Sequence, residues 1–181
     1  MLPGSRRSEL EQLLPVLNPA LADYPKLIQL PVPPNHIPFL QQNWQRNQDS
    51  IIDGRETGAV MRVLRTSEAG VICSGTATLE AALAQTPMVV VYKLSPLTVL
   101  ETKILRIKRP QFFSQPNILL QREVVPELLQ YDFTVDKVKR SLEEILTDAG
   151  ADRQRQGFAE IGELLGGDQC ITKTVELILT I

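Results

Sequence analysis

The run SGTATLE at residues 74–80 places two hydroxyls, a glycine and a carboxylate within seven positions. It follows the apolar run GVIC, which predicts a buried strand, and it leads into a helix-forming run. Ser74, Gly75 and Thr76 therefore lie where free backbone N–H groups and the positive end of a helix dipole suit an anion. Glu80 could then reach the hydroxyls of a ribose. In the alternative interpretation, Ser74 and Thr76 cap the helix and Glu80 is a solvated residue.

A second candidate turn opens the chain, in MLPGSRRSEL. Gly4 permits close approach of the backbone to a ligand, Ser5 follows it, and the planar guanidinium of Arg6 suits phosphate oxygens. The alternative is a surface arginine beside Arg7 on a frayed terminus. Two turns of this type in one parallel sheet would both lie at the carboxyl edge of the strands, where open α/β sheets bind ligands.

A third candidate stretch is SQPNILLQREVVPELLQ at residues 114–130. The side-chain amides of Gln115 and Asn117 could hydrogen-bond a base or a sugar. Arg122 and Glu123 are predicted to begin a short helix beside them. A loop of this composition can equally hydrogen-bond to itself, and that alternative stays open.

The remaining chemistry-bearing residues give weaker signals. His36, the only histidine, lies between prolines, and we expect a structural or exposed side chain there rather than a catalytic base. Cys73 and Cys170 are far apart in predicted buried elements, which indicates reduced thiols and no metal site. A dehydrogenase-type nucleotide domain is disfavoured because the chain has no G-x-G-x-x-G with an acidic residue about 20 positions on.

The elements that position these residues alternate between strand and helix. An amphipathic helix is predicted over residues 8–23, kinked or interrupted near Pro15 and Pro19. Strands are predicted at 26–32, 50–54, 70–74 and 87–93 with helices between them, and after Pro96 the pattern becomes helical, including the run REVVPELLQ. This order predicts an α/β fold: a Rossmann-like parallel sheet with helices on both faces over residues 1–130 and a helical tail over 131–181.

Composition and charge exclude several classes of protein. The 181 residues carry a formal net charge of -2, and the calculated isoelectric point is near 5.5, so no nucleic-acid partner is expected. Apolar runs are too short for a membrane span, and the first residues are not expected to form a signal peptide. The pattern predicts a cytoplasmic or peripheral protein.

Four runs occur in the order LPGSRRSEL, IIDG, SGTATLEAALAQTPMVVVYKLSP and QPNILLQREVVPELLQ. Together they closely resemble the lipid-A-disaccharide synthases, which are inverting glycosyltransferases with two Rossmann-like domains (GT-B type). The resemblance implies transfer of 2,3-diacylglucosamine from UDP to 2,3-diacylglucosamine 1-phosphate in lipid A assembly, without a cofactor. It covers residues 2 to about 130 and is weaker in the tail.

The resemblance also implies roles for the candidate residues. The turn at Ser74, Gly75 and Thr76 is expected to meet the diphosphate, Glu80 the ribose, and Arg6 is expected to be needed for activity. The segment from Gln115 to Glu123 is expected near the uracil and the sugar. This chain corresponds to the donor-binding, C-terminal half, and the acceptor-binding N-terminal domain has no counterpart in it, so the isolated chain is expected to lack turnover.

Two further expectations concern partners. The apolar stripe of the tail would be exposed unless it packs on the body of the chain or on another subunit; its members are Val175, Leu177, Ile178 and Ile181. The resemblance implies the second arrangement, a homodimer through the C-terminal helices. A basic, apolar run over residues 93–109 is either a core helix with a charged outer face or a helix that lies on an anionic membrane. A different class of function also stays open: a non-catalytic fragment or self-associating module that keeps nucleotide binding or has lost it.

Overall fold

The computed structural model describes residues 1–46, 49–94 and 110–166. The helices are α1 (Arg7–Leu21), α2 (Ile37–Asn43), α3 (Ala59–Thr66), α4 (Ala77–Leu83), α5 (Gln115–Leu120), α6 (Val135–Ile145) and α7 (Asp148–Leu164). The strands are β1 (Gln29–Val32), β2 (Ser50–Asp53), β3 (Gly70–Cys73), β4 (Met88–Tyr92) and β5 (Glu127–Leu129). Short 3-10 turns occupy Pro34–His36 and Gln130–Asp132.

All strand pairings within the described residues are parallel. One sheet has the order β1-β2 and the other β3-β4-β5. Leu2 connects to the second sheet through a parallel bridge to Ile72: its N–H donates to the Val71 carbonyl at 2.9 Å and its carbonyl accepts from Cys73 at 2.8 Å. The Met1 nitrogen donates to the Gln29 carbonyl of β1 at 2.6 Å. Met1 and Leu2 therefore lie between β1 and β3.

Apolar residues cover both faces of the three-stranded sheet, because neighbouring residues of a strand point to opposite sides. Val71 of β3 and Val89 of β4 pack with α1 and α6 in one core. Ile72 and Val90 pack with α4 and α7 in a second core. The structure thus confirms an α/β fold with helices on both faces of a parallel sheet.

Helix α1 runs from Arg7 to Leu21 without the predicted interruption. Pro15 and Pro19 lie inside it, and both are exposed. A proline removes one hydrogen bond from the preceding turn. Here both prolines lie on the exposed side of the helix, while leucines on the other side are buried. The packed face holds the helix together despite both prolines.

The run REVVPELLQ is not helical, and here the sequence-based prediction was wrong. It contains β5, which pairs in parallel with β4 from Val90↔Glu127 to Tyr92↔Leu129. The short helix nearby is α5, which ends before Arg122. Leu128 of β5 is buried in the first core, whereas Val125, which precedes the strand, is buried in the second. Residues 95–109 of the predicted basic run over 93–109 lie outside the described residues, as do Cys170 and the apolar stripe of the tail.

Candidate functional site

The two candidate turns line one cleft of about 710 Å³. Its wall is formed by residues that follow four strands: Pro33 after β1, Gly54 after β2, Ser74 after β3 and Leu94 after β4. The cleft therefore lies at the carboxyl edge of the parallel strands. The predicted site residues that line it are Gly4, Ser5, Arg6, Ser74, Gly75, Thr76 and Glu80.

The turn between β3 and α4 presents backbone donors to the cleft. The Ser74 N–H donates to the Val91 carbonyl at 3.0 Å and so extends the pairing of β3 with β4 by one residue. Within the described part of the chain, the next N–H groups, those of Gly75 and Thr76, have no acceptor. Neither hydroxyl caps α4: Ser74 Oγ donates to the Phe113 carbonyl at 2.9 Å, and Thr76 makes no capping hydrogen bond. The turn thus has donors available for an anion.

Gly75 leaves the floor of the cleft open. Its φ of +154° is a conformation that residues with a side chain rarely adopt, and a Cβ built there would meet nothing within 4 Å. The glycine is therefore required by the backbone conformation, and the space above it is free for a ligand.

A side chain of α1 holds the loop of residues 4–6 by hydrogen bonds. Glu9 Oε2 accepts from the backbone N–H of Ser5 at 2.9 Å and of Arg6 at 3.1 Å. Gly4 has a φ of +104°, and a Cβ there would lie 2.2 Å from the same oxygen. Only a glycine at position 4 allows the carboxylate to come this close.

His36 contacts the same loop from the other side. It is only 5% exposed, and its Nε2 lies 2.8 Å from the Ser5 carbonyl oxygen. Because a carbonyl oxygen only accepts, Nε2 carries the proton and donates. The side chain is thus buried and structural, with one ring nitrogen engaged by the loop that carries Arg6.

Charges in the cleft act on two groups at its base. Burial, together with the negative charge of Glu9, raises the pKa of the Cys73 thiol to about 12, and the positive charge of Arg6 opposes this. Burial also raises the pKa of Tyr92, with smaller contributions from Cys73 and Glu9 and an opposing one from Arg6. Neither group ionises near neutral pH. Among the described residues that line the cleft, Arg6 and Arg55 are the cations and Glu9 and Glu80 the anions.

Comparison with known proteins identifies the family of this chain. A lipid-A-disaccharide synthetase family model matches residues 1–175. The chain belongs to this family.

Individual members of the family match over most of this chain. The lipid-A-disaccharide synthase of Pseudomonas fluorescens is 42% identical over 119 residues, which cover 66% of this chain and 30% of the relative. The synthase of Chromobacterium violaceum is 37% identical over 83% of this chain and 40% of its own length. That of Pseudomonas putida is 35% identical over 93% of this chain and 45% of its own. The chain thus spans less than half the length of these relatives.

The other predicted site residues do not line the cleft of this family member. Asn117 is fully buried: its amide donates to the Val125 carbonyl and to Glu127, and its Oδ1 accepts from Val124 and Val125 N–H. The backbone N–H of Gln115 donates to Thr78 Oγ1 at 3.1 Å.

Arg122 and Glu123 also lie outside the cleft. Arg122 forms an exposed ion pair with Glu160 of α7. Glu123 is exposed and lines a separate cavity of about 220 Å³ beside Gln154. The structure thus brings together seven of the predicted residues and leaves these four outside the cleft.

Sequence reasoning missed several cleft residues. Arg55, Tyr92, Leu94 and Phe113 reach the cleft because the fold brings distant segments together, and no local pattern indicates this. Glu9 had a signal: a glutamate three positions after the residue that precedes a helix is typical of a capping box.

Two features are absent from residues 1–46, 49–94 and 110–166. No group of three or more His, Cys, Asp or Glu side chains could hold a metal ion. No helix in this part has both the length and the apolar character needed to cross a membrane.

Proposed function

We propose that this chain is the donor-binding part of a lipid-A-disaccharide synthase of GT-B type and holds the UDP of a UDP-linked acylated glucosamine in the cleft. The observation that carries the proposal is the meeting of the Gly4–Arg6 loop and the Ser74–Thr76 turn at the carboxyl edge of the strands. The family membership supports the choice of ligand, because the relatives are named as lipid-A-disaccharide synthases.

The diphosphate would be held by the groups that face it. The N–H groups of Gly75 and Thr76 donate to phosphate oxygens, and the Arg6 guanidinium offsets their negative charge. When the glycosidic bond to the donor breaks, negative charge grows on the leaving UDP. Donors fixed in advance around that charge lower the barrier, and this is the catalytic role we assign to Arg6.

The nucleoside would lie toward Glu80. This side chain is exposed and lines the cleft one turn into α4, beyond the open space above Gly75. Its carboxylate can accept hydrogen bonds from both ribose hydroxyls. Asn117 supports this proposal only indirectly, through its hydrogen bonds to residues 124, 125 and 127. We assign no contact with the nucleoside to Gln115, Arg122 or Glu123, which do not line the cleft.

Complete transfer needs a second set of groups. Inversion at the anomeric carbon requires a base that takes the proton of the acceptor hydroxyl. The proposal assigns that base and the acceptor site to the half of the relatives that this chain does not match. Residues 1–130 then form the donor domain and residues 131–181 its helical tail, and the isolated chain binds donor without turnover at the cytoplasmic face of the inner membrane.

Calorimetric titration with UDP, UMP and uridine tests the proposal. We expect UDP to bind and Arg6→Ala to weaken UDP by about tenfold or more while leaving uridine unchanged. Arg7→Ala is the matched control, because Arg7 stacks on Phe39 and does not line the cleft. Glu80→Ala should weaken uridine and UDP alike. Absence of UDP binding at millimolar concentration would refute the proposal.

The homodimer and the membrane contact are additional parts of the proposal. Their support is the sequence pattern of residues 93–109 and of the tail, and of these, residues 95–109 and 167–181 lie outside the described residues. Sedimentation at several protein concentrations tests the dimer, and a monomer throughout would contradict it. Flotation with anionic vesicles tests the membrane contact, and a chain that stays with the vesicle-free fraction would contradict that.

A further inference from the structure

We propose that Glu9 and His36 are positioning residues that hold the Ser5 peptide from both sides, so that Arg6 enters the cleft in a fixed direction. We call this pair the loop clamp. The inference rests on the proposed function, since its effect is read on UDP.

The loop clamp engages each polar group of the Ser5 backbone. Glu9 Oε2 accepts from the Ser5 N–H, and His36 Nε2 donates to the Ser5 carbonyl. Glu9 also accepts from the Arg6 N–H, so the two peptide units before the Arg6 side chain are fixed. Ser5 itself is exposed, so packing against other residues does not fix its position. Hydrogen bonds are what orient this loop.

The two clamp residues are themselves rigidly placed. Glu9 belongs to the first turn of α1, and two backbone N–H groups donate to its carboxylate. His36 ends a 3-10 turn that begins at Pro34, and its N–H donates to the Pro33 carbonyl at 2.9 Å. The proline rings restrict the backbone that leads to His36, and burial restricts its imidazole.

Electrostatics alone would disfavour Glu9 at this position. A carboxylate that lines a cleft for a diphosphate repels the ligand, and the charge of Glu9 reaches Cys73 at the cleft base. A positioning role accounts for its presence, because its oxygen is consumed by two backbone donors. The effect of the Glu9 charge can be separated from that of its hydrogen bonds, because a glutamine at this position keeps an acceptor oxygen and loses the charge.

The test compares Glu9→Ala with Glu9→Gln in calorimetric titrations with UDP and with uridine. Glu9→Ala should weaken UDP by about fivefold or more and leave uridine unchanged, whereas Glu9→Gln should bind UDP as tightly as the wild type or more tightly. Glu11→Ala is the matched control, because Glu11 lies on the same helix turn and pairs only with exposed Arg7. A purely electrostatic role would instead make both Glu9 variants tighter, and this result overturns the inference.

His36 provides an independent arm. His36→Ala should weaken UDP relative to uridine, and His36→Gln should restore much of the difference, because the glutamine Nε2 can donate in place of the imidazole. Equal loss of both ligands in His36→Ala, or no rescue, would indicate a general packing defect and overturn the inference.

Hydrogen exchange separates failure of the clamp from failure of the proposed function. If the wild type binds no UDP, the proposed function fails, and the clamp is then read from the Ser5 and Arg6 amides. Their exchange should accelerate in Glu9→Ala and stay slow in Glu9→Gln. Unchanged exchange in Glu9→Ala would show that Glu9 does not hold the loop.

Discussion

The side-chain amide of Asn117 donates to the carboxylate of Glu127 at 2.8 Å, and neither residue lines the cleft. Glu127 also accepts from the N–H of Phe113 and from the N–H and hydroxyl of Ser114. The Phe113 carbonyl in turn accepts from Ser74 Oγ. A continuous set of hydrogen bonds therefore connects β5 to the turn at the base of the cleft.

Replacement of Asn117 by alanine should destabilise the fold. The change leaves buried N–H groups at Val124 and Val125 and a buried carbonyl without partners, at a cost of about 2 to 4 kcal/mol in the free energy of unfolding. Urea denaturation measures it. Arg122→Ala is the control and should cost less than about 1 kcal/mol, because its ion pair is half exposed. Equal effects would contradict a buried structural role for Asn117.

Stability should fall in acid through Asp49. The Asp49 side chain is fully buried against Arg46. Burial alone would raise the pKa of Asp49, but hydrogen bonds from Arg46, the Ile28 N–H and the Trp44 indole, with the charge of Arg46, hold it below its ordinary value. Ionised Asp49 therefore stabilises the fold above the unfolded pKa of about 3.9, and this stabilisation is lost as the pH falls through the folded value.

Asp49→Asn tests this dependence in urea denaturation between neutral pH and pH 3. The variant should lose about 3 to 5 kcal/mol at pH 7, because Arg46 is left buried without its counterion, and should show a flatter acid limb than the wild type. Glu68→Gln is the control, since the Lys26–Glu68 pair is exposed and should contribute little. An acid limb as steep in Asp49→Asn as in the wild type would assign the dependence to other carboxylates.

Two glycine replacements separate strain from ligand contact. Gly75→Ala and Gly58→Ala both place a side chain at positive φ, with no atom within 4 Å of the new Cβ. Each should lower the free energy of unfolding by about 1 kcal/mol. Only Gly75 lines the cleft, so only Gly75→Ala should abolish UDP binding. Loss of binding in both variants, or in neither, would contradict a ligand at the Gly75 turn.

The Cys73 thiol should resist alkylation. With its pKa raised to about 12 by burial and by the Glu9 charge, only about one thiol in ten thousand ionises at pH 8. Iodoacetamide labelling of a Cys170→Ser variant should be about three orders of magnitude slower than that of free cysteine, and should become ordinary in urea. Fast labelling of the folded variant would show that the cleft base is open.

The order of strands and helices up to residue 94 could be predicted from the sequence, because GVIC and MVVVY are apolar enough to indicate strands covered on both faces. The run REVVPELLQ misled the prediction, since a three-residue strand is too short to show a period. Its pairing with β4 depends on tertiary contacts that no local pattern carries.

The same limit applies to the site. The turns at Gly4 and Gly75 could be located because glycine, hydroxyl and helix follow one another in sequence. Asn117 could not be assigned, because an amide that hydrogen-bonds a sugar and one that hydrogen-bonds the backbone of residues 124 and 125 look alike in sequence. Glu9 and His36 meet only at Ser5 in the folded chain, although Glu9 has capping-box spacing.

The central claim is that UDP binds at the carboxyl edge of the sheet, and backbone amide chemical shifts during a UDP titration test it most directly. We predict saturable shifts at Ser5, Gly75 and Thr76, with little change around the cavity of about 400 Å³ at the opposite edge, which Lys26 and Ser67 line. Absence of shifts at millimolar UDP, or shifts confined to the opposite edge, would contradict the account.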